Sequence, residues 1–319
     1  MKIAILEAPG RFEVREAPVP EPGADEVLVR VAACGVCTSE LDVWEGVAGT
    51  GGFPKHLGHE VSGTVERVGQ DVTSFRLGEP VALWTGRGYA EHVTVKDRHC
   101  LPAGDVPLEL ALAEPLACAV NSVELAAPSL GDDVLIIGAG FMGSLVQKLV
   151  LLRGPRHVVV ADTRADALSR ARAMGATRTV NVLEEDLPEV VRSLTDGAGV
   201  DVSFEVTGKQ APLLALGDCT RMSGKVVIVG YHQGGMREIP LGRWNWMAFQ
   251  VVNAHFREEA TIMRGMRTGM RLLTSGRLSL DGLVTHRFRL EDINEAFETA
   301  HRKPEGFVKS TVWMDSTSL

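Results

Sequence analysis

The chain has 319 residues, of which 45% are hydrophobic and 23% charged, with a formal net charge of −8. That length buries a large core and accommodates two domains; the acidic balance argues against a nucleic-acid partner, and no Lys/Arg run offers itself to a membrane. Its five cysteines (34, 37, 100, 118 and 219) are sparse and odd in number, which suits reduced thiols in the cytoplasm rather than a disulfide framework.

The N-terminal apolar run is broken by Glu7 and Pro9, so it does not read as a signal peptide. Residues 108–130, the longest apolar region, are interrupted by Glu109, Glu114, Asn121, Glu124 and prolines and do not read as a membrane span. Residues 1–122 contain short strand-like runs, 2–6, 26–32, 61–68, 80–83 and 89–95, separated by Pro and Gly with almost no helical periodicity. They predict a mostly β domain.

Three features of this half point to a metal. Cys37 sits in Cys34-Gly35-Val36-Cys37-Thr38-Ser39-Glu40, His59 in Gly58-His59-Glu60, and Glu114 in Ala113-Glu114-Pro115-Leu116. A thiolate, an imidazole and a carboxylate bind Zn²⁺ and leave one tetrahedral position for water or substrate, the layout of a catalytic site. A carboxylate in place of a second thiolate makes the ion a harder Lewis acid. Taken singly, each has a plainer reading as a small buried hydrophobe or a satisfied polar group.

From about residue 121 strands and helices alternate. Val134, Leu135, Ile136 and Ile137 suit a strand buried on both faces. Then come Gly138-Ala139-Gly140-Phe141-Met142-Gly143, an apolar helical run, and a second strand ending at Asp162. In such a turn Gly138 makes the tight bend, Gly140 admits a diphosphate and Gly143 lets helix and strand pack closely. The N–H groups at the helix start, around Phe141 and Met142, face the diphosphate. Asp162, 19 residues after Gly143, can accept from the adenosine ribose hydroxyls and repel a 2′-phosphate, which predicts NAD rather than NADP. Further strands at 179–182, 201–206, 225–230 and 249–254, with helices between them such as 163–174 and 210–221, complete six and imply a doubly wound parallel sheet over 123–255. The tail, 256–319, reads as a helix (259–275), a strand (283–289), a helix opening at Leu290 and a strand (307–313). A β tail after a complete nucleotide domain most economically returns to the first domain, leaving the site in the cleft between them.

The order Gly35-Val36-Cys37-x-Ser39-Glu40, Gly58-His59-Glu60, Glu114-Pro115-Leu116 and Gly138-Ala139-Gly140-x-x-Gly143 resembles the zinc-dependent alcohol dehydrogenases of the medium-chain dehydrogenase/reductase superfamily. The likeness runs through Glu205-Val206-Thr207-Gly208 to Phe307-Val308-Lys309 and is nearest the polyol (sorbitol-type) and threonine dehydrogenase branches. It implies an α/β fold, with a Rossmann domain inserted in a mostly β GroES-like catalytic domain, and reversible NAD-linked oxidation of a secondary alcohol: a polyol, cyclitol or sugar derivative. Cys37 and His59 become metal ligands, with Glu60 and Glu114 both retained for the third position. Ser39 becomes the proton acceptor, Thr38 its weaker substitute, and Lys309 a partner of the cofactor diphosphate. Backbone around Val206 and Gly230 would line the nicotinamide. Asp42 stands where many relatives carry a relay histidine; an ordinary Asp titrates near 4, a poor match for that task unless burial raises it. It would otherwise hold a ribose hydroxyl or be a solvated residue at a helix start.

The structural-zinc lobe of the family is absent, since the chain runs through Trp84 to Gly88 directly into the strand at Tyr89. One catalytic zinc per subunit is therefore expected. Trp44, Trp84 and Tyr89 are candidates for the substrate wall, or ordinary packing residues. The sixth strand suggests a homodimer, alone or paired into a tetramer. The competing readings are a zinc-independent quinone or enoyl reductase and a non-catalytic NAD-binding protein.

Overall fold

A computed structural model describes residues 1–47 and 51–314. The chain divides into two compact units, Met1–Ala117 with Met263–Leu319, and Cys118–Ile262. The sequence reading drew its boundaries at 122/123 and 255/256; the first division falls inside a helix.

In the first unit β1 (Lys2–Ala8) and β2 (Arg11–Glu16) form an antiparallel hairpin around Gly10, whose φ of 71° favours glycine. There follow β3 (Glu26–Gly35), α1 (Thr38–Trp44), β4 (Glu60–Val68), β5 (Pro80–Leu83), β6 (His92–Lys96), β7 (Cys100–Pro102) and α2 (Ala113–Ala126), the helix that contains the division. Sequence reading missed β2, α1, β7 and α2. The first has only Phe12 and Val14 as apolar markers, and the second is two turns long. The strand expected from residue 89 begins at His92 because Tyr89 and Ala90 pair with β1 instead, Ala4 N–H donating to the Tyr89 carbonyl at 2.8 Å.

The second unit contains β8 (Asp133–Ile137), α3 (Phe141–Leu151), β9 (His157–Asp162), α4 (Ala165–Ala173), β10 (Arg178–Asn181), α5 (Leu187–Leu194), β11 (Val200–Glu205), α6 (Gln210–Cys219), β12 (Thr220–Ile228), α7 (Leu241–Trp246) and β13 (Gln250–Asn253). Its sheet is parallel throughout, in the order β10-β9-β8-β11-β12-β13. The winding direction reverses between β8 and β11, so the carboxyl ends of these strands open the crevice in which such sheets bind ligands. This is the doubly wound sheet the sequence predicts, and β8 is buried along its whole length.

The tail comprises α8 (Glu259–Thr274), β14 (His286–Arg289), α9 (Ile293–Arg302) and β15 (Ser310–Trp313). β15 pairs antiparallel with β3, Val312 opposite Cys34 and Thr311 opposite Gly35, and closes a sheet of order β14-β15-β3-β4-β5-β7 with β6 also on β3. That pairing brings the segment before β15 against the carboxyl end of β3. The buried face of α9 (Ile293, Ala296, Phe297, Ala300) packs into the same core, with the Phe297 ring 4.7 Å from Phe12 and 5.7 Å from Tyr89. Among the described residues no helix is long and apolar enough to cross a membrane.

Candidate functional site

At the end of β3 the chain turns sharply into α1, with Cys37 at the cap position. Gly35 is required there: a Cβ would lie 2.0 Å from Glu60 Oε2. His59 immediately precedes β4 and follows Gly58, whose φ is 100° and whose added Cβ would sit 2.7 Å from the Gly88 backbone. Gly88 N–H donates to the Gly58 carbonyl at 2.8 Å, so the short segment after β5 is stitched to the loop bearing His59.

Cys37 Sγ, a His59 ring nitrogen and a Glu60 carboxylate oxygen all lie within 4.8 Å of one another. Glu114, in the first turn of α2, is outside that mutual group but places Oε2 3.9 Å from His59 Nε2. The other ring nitrogen, Nδ1, is 2.8 Å from Glu40 Oε1. Glu40 is 3% exposed and also accepts from Gly58 N–H (2.7 Å) and the Tyr89 hydroxyl (2.7 Å). Burial works against its charge, but His59, Tyr89 and Gly58 outweigh it and hold the carboxyl below the ordinary carboxylate range. Burial likewise opposes a proton on His59, while Glu40 and Cys37 push the imidazole well above its usual range. The same negative field favours a divalent cation. With Nδ1–H committed to Glu40, the ring's rotation is fixed and it presents Nε2, as metal-bound histidines do. The donor set fits zinc.

Lys309, expected at the cofactor diphosphate, is only 5% exposed. Its Nζ stands 2.7 and 2.6 Å from the two Glu60 oxygens and donates to the Val36 carbonyl at 2.8 Å. This corrects the expectation: here the ammonium is the counter-charge of a buried carboxylate, placed there by the β15–β3 pairing. Ser39 Oγ is 3.3 Å from Cys37 Sγ. Thr38 is exposed, and Asp42 is half-buried with its carboxyl raised by burial and, less, by Glu45. Tyr89 is a buried partner of Glu40 and no wall residue, and Trp44 packs beside Phe297 and His301. Trp84 is half-buried, edge-on to His99 at 5.4 Å.

In the second unit the glycine turn joins β8 to α3. Gly138 has φ 111°, and a Cβ at Gly143 would lie 1.8 Å from the Gly138 carbonyl oxygen, the close helix–strand contact anticipated for it. A Cβ at Gly140, the cap of α3, would meet nothing within 4 Å, leaving open space where a diphosphate approaches the helix start. Phe141 is buried in the first turn and Met142 is half-buried. Asp162, ending β9, accepts from Ala139 N–H at 2.6 Å and Arg164 N–H at 2.9 Å. Each oxygen keeps a second lone pair for a ribose hydroxyl. The turn and the acid fit a dinucleotide.

Sequence reasoning gave no role to two carboxylates. One is Glu40. The other is Glu205, fully buried at the end of β11, which accepts from Thr207 N–H (2.6 Å), Gly208 N–H (2.9 Å) and His232 Nε2 (2.9 Å). It locks the backbone around Val206 to that around Gly230, where a Cβ would fall 2.2 Å from Gly208 N. Both glutamates were quoted as motif residues, but their partners are 19 and 27 residues away.

Comparison with known proteins bears on these sites. Residues 23–105 match the alcohol dehydrogenase GroES-like domain and residues 142–267 the zinc-binding dehydrogenase family. Human sorbitol dehydrogenase is 31% identical over 92% of this chain and 91% of its own length. The L-threonine 3-dehydrogenase of Ruegeria pomeroyi is 30% identical over 88% and 91%. A zinc-binding dehydrogenase from Sinorhizobium meliloti, solved with NADP bound, superposes with a TM-score of 0.83 at 26% identity, covering 98% of this chain and 99% of that one. Galactitol-1-phosphate dehydrogenase from Escherichia coli, at 23% identity and a TM-score of 0.86 over 98% and 100%, shares the fold. The chain therefore belongs to the zinc-binding alcohol dehydrogenase family of the medium-chain dehydrogenases/reductases. Within that family its relatives include sorbitol and L-threonine 3-dehydrogenases.

Proposed function

We propose that this chain oxidises a secondary alcohol, of the polyol, cyclitol or sugar-derived class, reversibly to a ketone with NAD. The observation that carries the reading is the convergence of Cys37, His59 and Glu60 within 4.8 Å, with Glu114 beside His59. Zinc held there would acidify the substrate hydroxyl and the nicotinamide would take the hydride. Cys37 and His59 bind the ion, and Glu60 or Glu114 supplies the third ligand. Glu40 fixes the His59 ring. Ser39, at the Cys37 end of the site, accepts the hydroxyl proton, with Thr38 in reserve and the raised carboxyl of Asp42 as a further station.

NAD is preferred over NADP because Asp162 sets a carboxylate where a 2′-phosphate would lie. One zinc binds per subunit, since only residues 84–88 separate β5 from Tyr89. β13 is an edge strand with Val251 49% exposed, and pairing with a second copy would cover it, giving a homodimer; assembly of two such dimers into a tetramer would use other surfaces. Five free cysteines suit the cytoplasm. The reductase reading is not favoured, since the curated relatives are sorbitol and threonine dehydrogenases. A panel of polyols, cyclitols, sugar alcohols and L-threonine assayed for NADH formation tests the reading. Turnover on one of them that is lost in His59→Ala supports it, and activity that survives His59→Ala contradicts it.

A further inference from the structure

Two charged side chains hold Ala139, the second residue of the glycine turn: Asp162 accepts from its N–H at 2.6 Å and Arg170 donates to its carbonyl, with Arg164 and Asp166 within electrostatic reach of Arg170. The Arg164 N–H rests on the Asp162 carboxylate at 2.9 Å, which puts this arginine at the position assigned to the adenosine ribose. An arginine so placed is what accommodates a 2′-phosphate in NADP-dependent proteins of this architecture. Here its side chain turns back. Nε donates to Asp166 Oδ1 at 3.1 Å and Nη2 to Asp166 Oδ2, a two-pronged pair in the first turn of α4. The two side chains are 26% and 21% exposed, so the pair is partly shielded from solvent. Two-pronged guanidinium–carboxylate contacts are the strong and directional kind. Arg170, the other cation of the group, has Nη2 on the Ala139 carbonyl at 2.8 Å and is thereby committed to the turn itself.

We propose that Asp166 is a specificity-determining residue, which secures NAD over NADP by holding the Arg164 guanidinium away from the adenosine 2′ position. This rests on the reading that Asp162 marks the ribose site of an NAD enzyme. Discrimination then has two parts: Asp162 repels the phosphate, and Asp166 withholds the cation that would neutralise it. The second part is invisible in the turn motif, because Asp166 acts only by engaging the Arg164 guanidinium.

The test is calorimetric titration of the full-length, zinc-loaded protein with NAD⁺ and with NADP⁺, accompanied by kcat/KM for each. In Asp166→Asn the ratio of the Kd for NADP⁺ to that for NAD⁺ falls at least tenfold, and the fall disappears when Arg164→Ala is added. A loss of helix stability alone would not move that ratio. Asp166→Ser, which keeps a residue favoured in the first helical turn, carries the same test should the asparagine variant fail to fold. An unchanged ratio in Asp166→Asn, while Asp162→Asn lowers it, overturns the proposal and leaves the NAD reading standing. A fall that survives Arg164→Ala overturns it as well. Tighter binding of NADP⁺ than NAD⁺ by the unaltered protein would overturn the NAD reading and the proposal together.

Discussion

Nδ1 of His59 lies 2.8 Å from Oε1 of Glu40, a contact between the loop before β4 and the first turn of α1. It fixes the ring's rotation and leaves Nε2 on the side of Glu114. Removing such a partner typically costs about 10–100-fold in metal affinity. Glu40→Gln should therefore weaken zinc binding by roughly that factor, with Tyr89→Phe affecting it less, as read by competition against a zinc chelator. Equal affinities in Glu40→Gln and the unaltered protein would deny Glu40 its role.

The two candidate carboxylate ligands should separate on substitution. Glu60 is matched by a buried ammonium, whereas Glu114 has Oε2 3.9 Å from Nε2 of His59. Glu114→Gln is expected to lower zinc content more than Glu60→Gln. Conversely, Glu60→Gln strands Lys309, and leaving one member of a buried pair uncompensated costs about 3–5 kcal/mol. Urea unfolding of the two variants reads the difference; a smaller loss in Glu60→Gln than in Glu114→Gln would count against this assignment.

The glycine turn offers a sharper contrast. At Gly143 an added Cβ would stand 1.8 Å from a carbonyl oxygen, while at Gly140 it would enter open space. Gly143→Ala should lower the melting temperature. Gly140→Ala should keep it and lose NADH affinity, since the methyl occupies the approach of the diphosphate. If Gly140→Ala bound NADH as the unaltered chain does, the turn would not be the dinucleotide site.

Much of the second unit was legible because its central strands are buried on both faces: runs such as Val134 to Ile137 and Val158 to Ala161 announce themselves without help from the rest of the chain. The first unit was less so. Four of the six residues of β2 are charged, with only Phe12 and Val14 to mark its buried face, and α1 is seven residues long, so each pattern is brief. At the site, the ligand types could be read from local motifs, whereas Lys309 could not be placed. Its burial against Glu60, 249 residues away, depends on the pairing of β15 with β3. Tyr89 was offered as a wall residue for the same reason: nothing near it in sequence reveals that Glu40 waits for its hydroxyl.

Thiol chemistry distinguishes the cysteines. Burial, with a nearby Asp in each case, pushes Cys100 and Cys219 up to about 12, so both are almost wholly protonated at pH 8. Cys37 is half-exposed, with the Ser39 hydroxyl beside its sulfur. Iodoacetamide at pH 8 should label Cys37 in zinc-free native protein well before Cys100 and Cys219, as mapped by peptide mass spectrometry. Labelling of Cys100 ahead of Cys37 would contradict the burial argument.

The most direct test of the whole account is elemental analysis of zinc in chelator-free protein, alongside Cys37→Ala. One zinc per subunit, falling towards zero in the variant while the fold is kept, is the predicted result. No zinc in folded protein would contradict the dehydrogenase mechanism proposed for Cys37, His59 and their carboxylates, and two per subunit would contradict the single-site reading of residues 84–88.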